Sequence, residues 1–284
     1  MKHNISITLI LLLIFLGAHL IGLSIVNKYL PKKTDTGEII QKDLPLNIER
    51  PQVEEKTSFI SIFIIIIIST LIALLLMRFN AMKLWKLWFF ISITLTITIA
   101  LNAFINEKIA LIIAFVVGLI KTLKPNVIIN NLAELFIYGG LAAIFIPILN
   151  LFSITILLIL ISIYDFYAVF KSKHMIELAK FQTASKIFAG VNIPYKNTSL
   201  KTSIKNPKYT TAILGGGDIG FTLFFSGVVL KQYNFEAAVI TSLITTLFLL
   251  GLFLYSKKGK FYPAMPILSL GCFVGFFIAK LILF

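Results

Sequence analysis

Nine apolar runs set the terms on which this chain can fold. They lie at about 5–26, 59–77, 84–106, 109–121, 132–146, 148–170, 209–230, 236–255 and 263–283. A helix needs about 20 residues to cross the hydrocarbon core of a bilayer, and seven of the nine runs approach or exceed that length. The composition leaves no soluble alternative: 58% of the 284 residues are hydrophobic and only 13% are charged, against about a quarter charged in soluble domains. The expectation is an all-α, polytopic membrane protein with nine transmembrane helices. The first run follows Lys2 but lacks a small-x-small cleavage site before Lys28, so it reads as an uncleaved first span and not as a signal peptide.

Nine spans put the two termini on opposite sides, and the basic residues then choose the orientation. With the N-terminus cytoplasmic, the inside segments carry Lys2, Arg78, Lys83, Lys86, Lys121, Lys124, the eight lysines of 171–208, Lys257, Lys258 and Lys260, which is 17 of the 26 basic residues. Six of the others sit in 27–58 beside six acids, so that segment is near neutral. The excess lies on one face, as the positive-inside rule requires. Orientation therefore explains the net charge of +14, and nucleic acid is not an expected partner. The lipid bilayer is.

Two polar segments interrupt the apolar pattern. Residues 27–58, with Pro31, Pro45 and Pro51 among mixed charges, read as an external, solvated connector without a catalytic constellation. Residues 171–208 read as a cytoplasmic loop. Its start, KSKHMIELAKF, has helical character that could extend the sixth span, whereas 195–208 is turn-like. The single cysteine, Cys272, lies inside an apolar run, which excludes disulfides and a cysteine-based metal site.

Acids inside the apolar runs carry the chemistry. The run 209–230 holds three consecutive glycines, Gly215, Gly216 and Gly217, followed by Asp218, and the preceding run holds Asp165. A carboxylate in hydrocarbon costs on the order of 3 kcal/mol or more, so it is rare unless used or paired. Read as helices, the two spans run antiparallel with both acids roughly 9–15 Å from the cytoplasmic ends. In the same half of the membrane, Pro263-Ala264-Met265-Pro266 opens the last span. Prolines there leave backbone groups without regular partners, which membrane proteins tolerate where the backbone is buried or lines an aqueous cavity. Two carboxylates a few Å apart share a proton, so one can act as base toward water while the other polarises a carbonyl. The glycines would let a substrate backbone approach Asp218 closely.

These residues carry a family resemblance. Tyr164-Asp165 resembles the YD motif of the presenilin and signal peptide peptidase family of intramembrane aspartyl proteases. Gly215-Gly216-Gly217-Asp218 resembles its GxGD motif, with Gly216 in the variable place, and Pro263-Ala264-Met265 its PAL motif, with methionine in place of leucine. All three come in the family's order, over about 150–284, and look most like the archaeal members. The resemblance implies a presenilin-like bundle in which Asp165 and Asp218 are the catalytic dyad and Tyr164 packs or orients Asp165. It implies that 263–265 shapes the site, that substrate pairs as a strand beside about 207–213, and that the N-terminus is cytoplasmic. It divides one integral domain, 1–284, into helices one to five with the external loop (1–146) and catalytic helices six to nine with the cytoplasmic loop (147–284).

The implied activity is hydrolysis of peptide bonds within transmembrane segments or signal peptides, without metal or organic cofactor, in the cell membrane if the source is prokaryotic; the sequence does not imply an obligate partner subunit. The rival reading is a proton- or ion-coupled transporter using the same acids as a proton site, since paired acids and broken helices also make such sites. Gly216 and Gly220 alone could instead be helix packing of the GxxxG type. A zinc protease would need HExxH, and His3, His19 and His174 lack that context. His19 reads as a packed polar residue.

Overall fold

Asparagines mark where helices begin. Asn106, Asn126, Asn150 and Asn234 each stand at an N-cap and accept a backbone amide from the first turn, at 3.0, 2.8, 2.8 and 2.8 Å. Such a side chain satisfies one of the amides that a helix start leaves open, typically for about 1 kcal/mol. The computed structural model describes residues 4–33, 39–172, 181, 188–194, 211–256 and 262–284. Among them are nine α-helices: α1 Ile5–Tyr29, α2 Ser58–Arg78, α3 Met82–Asn102, α4 Glu107–Leu123, α5 Val127–Phe145, α6 Leu151–Tyr167, α7 Gly216–Gln232, α8 Phe235–Tyr255 and α9 Met265–Leu283. Seven are long and apolar enough to cross a membrane, α6 with its continuation to Lys171. The other two, α4 and α7, have 17 residues each, at the lower limit for a span.

Helix α7 lies near the middle of the bundle, with the whole stretch from Thr222 to Leu230 buried. Around it pack α1, α5, α6, α8 and α9. Small residues permit these approaches, as membrane helices generally require. A Cβ on Gly140 would lie 2.0 Å from the Thr96 carbonyl oxygen of α3, and one on Gly139 would lie 3.1 Å from the Cα of Gly22 in α1. By contrast, only Ser58, Ile62 and Ala73 of α2 are buried. That helix is tied at its start, where Lys231 bonds Glu55 at 2.8 Å and the carbonyls of Pro147 and Leu149 at 2.8 and 3.0 Å. The Ser153 hydroxyl donates to the Glu55 carbonyl as well.

Several expectations are corrected. The run 209–230 is not one helix: its start is strand β4, Thr211–Gly215, and α7 begins at Gly216. Strand β4 pairs antiparallel with β3, Gly190–Pro194, in the register Val191 to Leu214 and Asn192 to Ile213. The fifth helix starts at Val127, five residues before its apolar run, because Asn126 caps it there. Glu134 thus lies two turns inside α5 and is buried, so Asp165 and Asp218 are not the only acids within the spans. Lys121, counted above among the loop charges, is buried in α4 and bonded to Glu134.

The segment 27–58 is also more than a connector. A short pair, β1 Lys32–Lys33 with β2 Ile39–Ile40, follows α1, and the chain then docks on the end of α3. Tyr29 donates to the Ile99 carbonyl at 2.7 Å, Lys42 to the Asn102 carbonyl, and Leu44 is buried. From α6 the chain runs on through a π turn, Ala168–Ser172. Most of KSKHMIELAKF and all of 195–208 lie outside the described residues. His19 is a packed residue: fully buried, it bonds the Phe15 carbonyl at 3.0 Å and lies against the Phe15 ring.

Candidate active site

Asp165 stands in the last turn of α6, half-buried, facing the start of α9. Its carboxylate accepts the Met265 amide at 3.1 Å, and the Ala264 amide is a second donor. This is what the proline-flanked segment accomplishes. Ala264 is the N-cap of α9, and Pro266 sits in its first turn, where a missing N–H costs nothing. The amides just ahead of it have no intrahelical acceptor, so they turn outward to an anion. One turn earlier in α6, Ser162 meets Ser269 of α9 at 2.9 Å and fixes the two helices against each other. Tyr164 is half-buried and also has an interaction partner.

Asp218 lies in the first turn of α7. The Gly215 amide donates to its carboxylate, and a Cβ on Gly215 would sit 3.1 Å from Asp218 Oδ2, so a side chain there would crowd the carboxylate. The Gly216 amide reaches the Ala189 carbonyl at 3.1 Å, which ties the strand-to-helix junction to the neck of β3. Gly217 is exposed. Asp165 and Asp218 lie close enough for their charges to interact, and α6, α7 and α9 pack on one another around them. The structure therefore brings together all three motifs: the acid of α6, the glycines and acid of α7, and the amides that open α9.

The hairpin leading into Asp218 has one edge closed. The side-chain amide of Asn131 in α5 donates to the Asn192 carbonyl at 2.9 Å and accepts the Asn192 N–H at 3.1 Å, as a neighbouring strand would. Asn130 donates to the Gly190 carbonyl at 3.0 Å. In an antiparallel pair, directly opposed residues turn their backbone groups either toward each other or both outward. Asn192 turns outward to α5, so Ile213 opposite it turns outward on the far edge of β4, where its side chain is exposed. Of the segment beside which the resemblance places a substrate strand, 207–213, the part from Thr211 on belongs to β4; its earlier part lies outside the described residues. Polar residues just ahead of the apolar run 132–146 are the sequence signal for this clamp.

Between α2, α3, α5 and α7 lies a cavity of about 570 Å³. Ile62, Ile66 and Ala73 of α2 and Trp85, Phe89 and Ile93 of α3 give it apolar walls, and its inner end reaches Gly216, Gly217 and Gly220. Glu134 and Tyr138 of α5 provide polar groups at that end.

The family model described as "Signal-peptide peptidase, presenilin aspartyl protease" matches residues 47–283. Two solved structures of a presenilin family intramembrane aspartate protease, in the C222 and P2 space groups, are similar in fold. The first is 18% identical with a TM-score of 0.61 and covers 94% of each chain. The second is 19% identical with a TM-score of 0.63 and covers 95% of this chain and 96% of its own. No curated protein matches the sequence.

Proposed function

We propose, for a chain that belongs to the signal-peptide peptidase and presenilin family of aspartyl proteases, that Asp165 and Asp218 are the two carboxylates that perform its reaction. As a member of that family the chain is an aspartic-type intramembrane endopeptidase, an integral multi-pass protein whose substrates are transmembrane segments in the bilayer. The transporter reading falls away with that membership. The observation that carries the assignment of the pair is their placement. Asp165 is held by the amides of Ala264 and Met265, and Asp218 by that of Gly215, within reach of each other's charge.

The chemistry follows from one proton shared by two carboxylates. The ionised member takes a proton from water as the oxygen attacks the scissile carbonyl carbon, and the protonated member gives its proton to the carbonyl oxygen. The resulting gem-diol collapses when one hydroxyl returns its proton to a carboxylate and the amide nitrogen receives one, breaking the C–N bond. Pro263, Ala264 and Met265 act by orienting Asp165, Gly215 by leaving the Asp218 carboxylate uncrowded, Gly216 by admitting the Tyr138 ring, and the exposed Gly217 by leaving room for substrate backbone beside Asp218. Tyr164 is assigned to orienting Asp165.

A helical substrate must unwind before its carbonyl is open to attack, and the outward edge of β4 offers the unwound segment a strand partner. The apolar cavity behind α2 can hold the part that stays helical. In this reading residues 147–284 carry both acids, while 1–146 supply the cavity walls and the clamp on β3. The N-terminus is cytoplasmic and the C-terminus outside, and signal peptides as well as single-span proteins belong to the substrate range.

The test uses the full-length protein in detergent with a tagged single-span substrate, its products mapped by mass spectrometry. Cleavage inside the apolar segment by the wild type, abolished in both Asp165→Ala and Asp218→Ala, is expected. Cleavage surviving in either variant would remove that residue from the pair.

A further inference from the structure

Away from the carboxylate pair, three buried polar side chains form a chain that ends on the glycines before Asp218. Lys121 of α4 bonds one oxygen of Glu134 in α5, and the other oxygen of Glu134 receives the Tyr138 hydroxyl. All three residues are at most 4% exposed. A lysine and a glutamate so placed carry a heavy desolvation cost unless each is fully partnered. Here the lysine lies opposite the carboxylate and 5.8 Å from the centre of the Phe89 ring. Because the phenol's proton is committed to Glu134, the hydroxyl has a fixed direction, and with it the ring.

That ring runs along the glycine face of α7, its Cδ1–Cε1 edge toward the helix. A Cβ on Gly216 would meet the Tyr138 hydroxyl oxygen at 2.8 Å and both its Cε1 and the Ala189 carbonyl oxygen at 3.2 Å, and one on Gly220 would meet Tyr138 Cδ1 at 3.7 Å. The phenol and the Asp218 carboxylate lie within electrostatic reach of each other. Gly216 occupies the variable place of its motif, so the motif itself does not call for glycine there. The phenol does.

We infer that Glu134 and Tyr138 are positioning residues for the reaction: a hydrogen-bonded prop, its buried carboxylate neutralised by Lys121, that holds the Gly216 turn, and through it Asp218, in its working place. The inference rests on Asp218 being catalytic. It differs from ordinary packing in requiring the hydroxyl, its acceptor on Glu134 and the missing Cβ at residue 216 together.

The experiment is a double-mutant cycle on kcat and KM, with cleavage of a tagged single-span substrate in detergent as readout and the thermal midpoint measured alongside. Tyr138→Phe is expected to lower kcat about tenfold with KM within about twofold, as a misplaced reacting group does. Gly216→Ala alone also lowers kcat. In the Tyr138→Phe background the nearest clashing atom is gone, so the double variant loses less than the product of the two single losses. Two neutral pairs guard against a folding artefact. Lys121→Met with Glu134→Gln keeps an acceptor for the hydroxyl and keeps kcat within about threefold, whereas Lys121→Met with Glu134→Leu falls about as far as Tyr138→Phe. Additive losses in the cycle, or equal kcat in the two neutral pairs, would overturn the prop. Cleavage that survives Asp218→Ala would overturn the catalytic reading beneath it and the prop with it.

Discussion

The Met265 amide and the Asp165 carboxylate come from positions 100 residues apart, yet their 3.1 Å bond separates two roles of one side chain. An amide oxygen can accept the same bond, so Asp165→Asn is expected to lose cleavage while its thermal midpoint stays near the wild-type value. Asp165→Leu leaves the Ala264 and Met265 amides without an acceptor and is expected to lose about 1–3 kcal/mol of stability as well. Thermal unfolding in detergent, run beside the cleavage assay, checks both. At this scale the sequence is highly legible where a charge stands alone in an apolar run, because hydrocarbon makes such a residue conspicuous. Asp165 and Asp218 were found that way. Glu134 is less conspicuous, since its apolar run begins at 132 and the acid falls at the margin, although Asn126 caps the helix a turn and a half earlier.

Elements were legible in proportion to how uniform they are. A helix in a membrane satisfies its backbone within itself, so an apolar run of sufficient length is enough to specify it, and nine runs became nine helices among the described residues. The break inside 209–230 was invisible for the same reason. Short apolar stretches suit a strand as well as a helix, and what makes 211–215 a strand is its partner β3, which lies more than a dozen residues away in the chain. That partner is in turn held by α5. Asn131→Ala opens both backbone groups of Asn192, so amide exchange over 190–194 is expected to speed up and KM to rise. Asn131→Asp, which keeps the acceptor for the Asn192 N–H, falls between Ala and wild type. Hydrogen exchange read by mass spectrometry distinguishes the three.

At the scale of the whole molecule, burial is unevenly distributed: α7 is enclosed by its neighbours, while α2 touches little beyond its ends. The cavity behind α2 is lined on that side by Ser69, Thr70 and Ala73. Ser69→Trp places a large ring in it and is expected to raise KM several-fold, with kcat and thermal midpoint little changed, if the cavity holds the helical part of a substrate. Steady-state kinetics on a single-span substrate checks this. Sequence alone could not disclose such a space, because it is made by four helices standing apart and, Glu134 aside, the residues on its walls are those of ordinary spans.

Helix α4 buries a stripe of Ala110, Ala114, Gly118 and Thr122 and turns Ile109, Ile112, Val116 and Leu123 outward. Its 17 residues measure ~25 Å, several Å less than an average hydrocarbon core of ~30 Å. Lipid beside it must thin or the helix must be drawn in, and the strain passes to α3, against which α4 chiefly packs, and to α5. Since Lys121 hangs from α4 and Glu134 from α5, the thickness of the surrounding bilayer acts on the same two residues that steady the glycine turn. Lipid chain length is, for this molecule, a mechanical load applied close to its reacting centre.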